Sequence, residues 1–158
     1  MKRLVCIILA LMILLCACGS EASDKAVDLS ALTEDMRAAT ALPAMLSISS
    51  GDERAERGFA AISDLDYDKV DAYSLLYAAD GTAYELAVIR LKDEGDSAAM
   101  EASLRAHIDS RAETYRTYNP EQVPRAESAV IASHGRYVAL IMCDDPAAVK
   151  AVFDRAFG

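Results

Sequence analysis

The sequence has no tryptophan, three phenylalanines and two histidines among 158 residues. Stacking on sugar rings therefore falls to the seven tyrosines. Of these, Tyr73, Tyr77, Tyr84 and Tyr137 sit in predicted strands, and at least half are expected to pack under helices, which argues against a flat carbohydrate-binding face. Two histidines restrict acid–base chemistry near neutral pH. Gly-x-Ser-x-Gly, Ser-x-x-Lys, His-Glu-x-x-His and a phosphate-cradling loop are all missing, so catalysis through the familiar nucleophile and metal motifs is unsupported. Positive charge is scarce too: 16 basic against 25 acidic side chains give a net charge of -9, which repels nucleic acid. The length suits one modest domain and excludes a two-lobed solute-binding protein, a transporter or a multidomain enzyme.

What is abundant is concentrated at the amino terminus, where 15 of the first 17 residues are hydrophobic. Met1-Lys2-Arg3 precedes an unbroken apolar run from Leu4 to Leu15, the pattern of an export signal. Twelve helical residues reach only about 18 Å, short of a hydrocarbon core of about 30 Å, so a permanent transmembrane helix is a poor reading. Leu15-Cys16-Ala17-Cys18 resembles the lipobox of bacterial lipoproteins, with Gly19 and Ser20 continuing it. Cys16 follows the bulky Leu15, whereas Cys18 follows Ala17, so Cys18 is the expected lipidation site. The resemblance implies a diacylglyceryl group on its thiol and removal of residues 1–17; two acyl chains give a lasting anchor where one does not. The competing reading is an ordinary secretory cleavage site.

Three of the four cysteines thus leave with the leader or carry lipid, and Cys143 stays as a lone thiol. No intrachain disulfide can form. Cys143 ends an apolar run and is expected to behave as a small buried hydrophobe, with intermolecular pairing as the alternative. Without Lys2 and Arg3 the remainder holds 14 basic and 25 acidic residues, a charge near -11. Residues 18–27 read as the lipidated cysteine and a short tether, and residues 28–158 as a single α+β domain.

In that domain Asp28 is placed to cap a helix carrying Leu29, Leu32 and Met36, ending before Pro43. The stretch 44–68 is less legible: Ser49-Ser50-Gly51-Asp52 reads as a turn, and a short helix broken near Gly58 is expected within 53–62. Alternation over 72–79, a turn at Asp80-Gly81 and a strand over 82–92 predict a hairpin. A helix capped by Asp96 or Ser97 follows, with Met100, Leu104, Ile108, Ala112 and Tyr115 as its inward stripe, ending before Pro120. A second hairpin over 129–143 turns at His134-Gly135, and Asp145 caps a last helix with Pro146 at its first position and Val149, Val152, Phe153 and Phe157 as its apolar face. These are two consecutive strand-strand-helix units whose turn glycines, Gly81 and Gly135, lie 54 residues apart. The expected architecture is an antiparallel sheet of about four strands with the helices on one face, preceded by an N-terminal helix.

Chemistry is thin. His134 and Cys143, if on one strand, sit about 30 Å apart and cannot form a dyad. His107 is read as a bland helix-surface residue. Asp64-Leu65-Asp66-Tyr67-Asp68-Lys69-Val70-Asp71 invites a calcium reading, yet a calcium loop needs glycine sixth and glutamate twelfth, where Lys69 and Leu75 stand. Turn formation and helix capping explain these acids more simply, and Asp93, Glu94, Asp96, Asp144 and Asp145 likewise read as caps.

Tyr118-Asn119-Pro120-Glu121-Gln122, followed by Ala129-Val130 and Gly135-Arg136-Tyr137-Val138, is similar to a family of small lipoproteins of Gram-positive, clostridial-type anaerobes that carry a domain of unknown function. The resemblance runs from Asp28 to Gly158 and implies no activity and no functional residue. At that turn Pro120 is expected to end the helix and Tyr118 to anchor its exit against the sheet, a recognition loop being the alternative. No catalytic, cofactor or metal residue is assigned; Cys18 is the one site residue. The expected function is noncatalytic: a membrane-anchored, extracytoplasmic domain that binds a protein or cell-envelope partner through an open sheet face. The alternative is a small-ligand or divalent-cation binder centred on the acidic segment, and an enzyme with unfamiliar carboxylate chemistry is a third.

Overall fold

The protein is described here by a computed structural model covering residues 26–158. The signal-peptide reading of residues 1–17, Cys18 and most of the tether lie outside the described residues.

Asp28 caps the first helix as expected, its carboxylate accepting from the backbone N–H of Ser30 and Ala31 at 3.0 and 3.1 Å. That helix, α1, is Leu29–Ala38, and its buried side is Leu29, Leu32, Thr33 and Met36. The chain then forms β1 (Met45–Ser49), turns at Ser49–Asp52 where the Asp52 carboxylate accepts from the Ser49 N–H at 2.6 Å, and enters the short α2 (Ala55–Phe59). After a 3-10 turn at Tyr67–Lys69 come β2 (Val70–Ala78), β3 (Glu85–Leu91) and the long α3 (Ser97–Tyr118). A 3-10 turn at Pro120–Gln122 and the short α4 (Val123–Glu127) lead into β4 (Val130–His134), β5 (Tyr137–Met142) and α5 (Pro146–Arg155).

The fold class is the expected α+β with an antiparallel sheet, and both strand-strand-helix units are present. The sheet has five strands, in the order β1-β2-β3-β5-β4. The fifth is β1, an edge strand in the stretch that the sequence left unresolved, running antiparallel to β2 with Met45 opposite Ala78 and Ser49 opposite Ser74.

The placement of helices on one face is corrected. α3 packs over Leu75, Ala87, Ile89, Val138 and Leu140, whereas α1 and α5 pack over Leu76, Leu86, Val88, Ala139 and Ile141 on the opposite face. The cause is a matter of register. Leu86 and Leu140 are equivalent when the two turn glycines are aligned, yet Leu86 pairs with Ile141 and Leu140 with Ala87, so equivalent residues point to opposite sides. Each unit's trailing helix then follows its own apolar face. No open apolar sheet face remains among the described residues.

Local details depart from expectation as well. The first hairpin loop is longer than two residues, because Asp80 accepts from the Thr82 N–H and hydroxyl at 3.0 and 2.6 Å, and Ala83 N–H donates to Gln122 at 3.1 Å, which draws both out of the ladder. Gly81 supplies the positive φ of 78°. The second hairpin does turn in two residues, one step later than expected, at Gly135-Arg136 with Gly135 at φ 55°. Gly58 does not break α2 but lies inside it, where a Cβ would come within 2.7 Å of Ile48 Cγ2 and 2.8 Å of the Tyr73 hydroxyl. Only a bare α-carbon lets α2 settle onto β1 and β2 this closely.

Candidate functional site

A cavity of about 420 Å³ lies on the α3 face of the sheet, between α2 and α3. That volume is in the range of small-molecule sites, about 300–1,000 Å³. Its floor is Ile48 of β1, Leu75 and Tyr77 of β2 and Glu85 of β3; Arg54, Arg57, Gly58, Ala61 and Ile62 form one wall, His107 and Arg111 the other. The close seat of α2 that Gly58 permits sets the height of this space.

Glu85 is the unusual member. It opens β3 in phase with Ala87 and Ile89, so the pleat aims its carboxylate into the interior, and its side chain is only 8% exposed. Burying a carboxylate is costly unless charge and hydrogen bonds compensate it. Here His107 Nε2 lies 2.6 Å from Glu85 Oε2, and Arg111 Nε lies 3.4 Å from Oε1. His107 and Arg111 are four residues apart on α3, at the margin of the Met100–Leu104–Ile108 stripe, so one helix face delivers both. Arg111 in turn lies over the Tyr115 ring at 4.7 Å and donates to the Tyr115 hydroxyl, which itself donates to the Gly81 carbonyl at 2.9 Å. Burial pushes the Tyr115 phenol pKa up, with Arg111 pulling the other way.

His107 is thus a half-buried partner of Glu85 rather than a bland surface residue. The other candidates named from the sequence are dispersed. His134 stacks on Phe157 at 4.7 Å, and Cys143 is buried at 1% exposure with its thiol pushed up by burial, which fits the small-hydrophobe reading. Tyr73 and Tyr137 are buried as expected. Tyr118 does not anchor the turn: it is 81% exposed, and Tyr115, one turn earlier, takes that place.

The acidic segment is largely consumed by local structure. Asp64 accepts from Ser103 at 2.5 Å, Asp66 caps the 3-10 turn through the Asp68 N–H at 3.0 Å, and Asp71 meets Arg90 at 2.5 Å. Among the described residues no group of three or more His, Cys, Asp or Glu is placed to hold a metal ion. Of the acids read as caps, Asp93 and Asp145 serve, accepting from the backbone of Gly95 and Ala148. Asp96 instead pairs with Lys69 at 2.6 Å. Asp144 accepts from the Tyr84 hydroxyl and Arg125 at 2.7 and 2.8 Å, contacts that hold its carboxyl below the usual range.

Comparison with curated proteins and with solved structures finds no match. A family model does match, described as a domain of unknown function (DUF4358), over residues 47–143. That region covers more than half of the chain, runs from β1 to the end of β5, and contains every residue that lines the cavity. The chain therefore belongs to the DUF4358 family, with α1 and α5 lying outside the matched region.

Proposed function

We propose that this protein is a lipoprotein anchored through Cys18 at the extracytoplasmic face of the membrane, and that its domain is a noncatalytic module that binds a small molecule in the cavity between α2 and α3. The observation that carries the binding role is the buried Glu85 carboxylate with its half-buried partners His107 and Arg111, facing a cavity of about 420 Å³. The noncatalytic reading is supported by the state of that cluster: both Glu85 oxygens meet protein partners, and among the described residues no serine, threonine or cysteine lines the space. The anchor reading rests on the lipobox-like Leu15-Cys16-Ala17-Cys18.

Small-molecule binding takes precedence over a protein or cell-envelope partner because the open sheet face that favoured such a partner is covered. It does not centre on the acidic segment, whose Asp64, Asp66 and Asp71 carboxylates are engaged elsewhere. Thermal shift of the full chain in detergent, against a mixed panel of small molecules, tests the reading. A ligand at 100 times its dissociation constant adds about 2.7 kcal/mol. Ala61→Trp, at an exposed position on the cavity wall, is expected to abolish the shift. A shift that survives this substitution places binding elsewhere.

A further inference from the structure

Resting on that reading of the cavity, we infer that its ligand is an organic oxyanion, a carboxylate or a phosphate monoester, on a compact apolar body. The walls carry three arginines and a single carboxylate. Glu85 is already offset by Arg111, so the arginines outnumber the carboxylate by two in a chain of net charge -9.

Those two charges are Arg54, which immediately precedes α2, and Arg57 within it, and both line the cavity. Elsewhere, Arg37, Arg90, Arg116 and Arg125 each meet a carboxylate within 3.1 Å. Arg54 and Arg57 make no ion pair among the described residues. Glu53 and Glu56 adjoin them in the chain, yet neither forms an ion pair with them among the described residues, and Asp52, which feels Arg54 electrostatically, has its carboxylate held by the Ser49 N–H and hydroxyl at 2.6 and 3.0 Å. Two guanidinium forks at the mouth of a cavity match the planar geometry of a carboxylate or the oxygens of a phosphate, and can bind either with two parallel hydrogen bonds. Below them Ile48, Ile62 and Leu75 offer no hydrogen-bonding side chain and form an apolar side of the interior, across from Glu85 and His107, against which hydrocarbon fits. The anion is seated at the rim and the body below it.

The test is calorimetric titration of the full chain in detergent with four probes sharing one ring: cyclohexanecarboxylate, cyclohexyl phosphate, cyclohexanol and cyclohexylamine, with inorganic phosphate alone as a fifth. One or both cyclohexyl anions should bind at least tenfold more tightly than the alcohol, the amine and inorganic phosphate, and the tighter of the two names the oxyanion. Arg54→Gln with Arg57→Gln should weaken that binding at least tenfold. Arg155→Gln, at the end of α5 on the opposite face of the sheet, should leave it unchanged. Because both arginines are exposed and make no ion pair among the described residues, the double variant should keep the wild-type urea midpoint, which separates lost binding from lost folding. Cyclohexanol binding as tightly as the anions, or indifference to the double substitution, overturns the oxyanion assignment and leaves the cavity as a binding site. Inorganic phosphate binding as tightly as cyclohexyl phosphate overturns the apolar body. Should no cyclohexyl probe bind, the oxyanion assignment falls, and if the mixed small-molecule panel also gives no shift that Ala61→Trp removes, the binding role of the cavity falls with it.

Discussion

The Tyr73 hydroxyl donates to the carbonyl of Ala55 at 2.6 Å, which ties the middle of β2 to the first residue of α2. Its ring packs against Phe59 and Tyr67 at 5.7 and 6.2 Å, and burial pushes its pKa up to about 12, with Tyr67 and Asp52 adding to the rise. The folded-state pKa lies above the unfolded value of about 10, so the stability linked to this phenol is complete below about pH 10 and is lost as pH rises toward 12. The wild-type urea midpoint is expected to fall through that window. Tyr73→Phe should cost about 1 kcal/mol at neutral pH and give a shallower alkaline decline, the residue of slope coming from Tyr84 and Tyr115, whose phenols are also raised. Parallel declines in the two proteins contradict the assignment.

Val88 and Ile89 are neighbours on β3, point to opposite faces, and are both fully buried. In a sheet covered on one face, only one of them could be replaced by a charge at great cost. Val88→Asp and Ile89→Asp should each lose several kcal/mol, because each places an unpaired carboxylate among apolar side chains. Soluble yield and thermal denaturation of the two variants decide the matter, and a stable member of the pair refutes two-sided cover.

Removing Glu85 alone should be more damaging than removing its whole cluster. Glu85→Ala strands His107 and Arg111 over an apolar floor and is expected to cost about 3 kcal/mol. Leucine at positions 85, 107 and 111 together leaves no buried charge, and its urea midpoint should lie above that of Glu85→Ala. The reverse order would show that Glu85 is not held by these two partners.

Cys18→Ala should abolish metabolic incorporation of a fatty-acid analogue and release the protein from the membrane fraction. Label retained in the variant moves the anchor elsewhere.

The parts of the fold that were legible are those in which side-chain period and capping agree. Asp28 before Leu29–Leu32–Met36, the α3 stripe from Met100 to Tyr115, and Asp145-Pro146 ahead of α5 announce themselves locally. The two-sided cover was also written in the chain, in the almost unbroken apolar runs of β3 and β5, which are buried on both faces and do not alternate. β1 escaped notice because Met-Leu-Ser-Ile-Ser is short, half-polar and pinned at an edge by pairing with distant β2. The cavity was less legible still. Glu85 and His107 are 22 residues apart, and only the docking of α3 on β3 makes them partners. The one local hint was an acid in phase with Ala87 and Ile89, together with His107 and Arg111 one turn apart beside the apolar stripe.

The opposite facing of the two hairpins has a consequence for how the chain reaches its native state. β2 and β3 are roofed on one side by their own α3, but on the other by α1, and β4 and β5 depend in the same way on α5 and on α3 from the first half. Neither half can hide its hydrocarbon alone. During synthesis Ala139 and Ile141 therefore stay wet until α5 has followed them, and the β3–β5 junction, between strands about 50 residues apart, joins the two halves into one cooperative step.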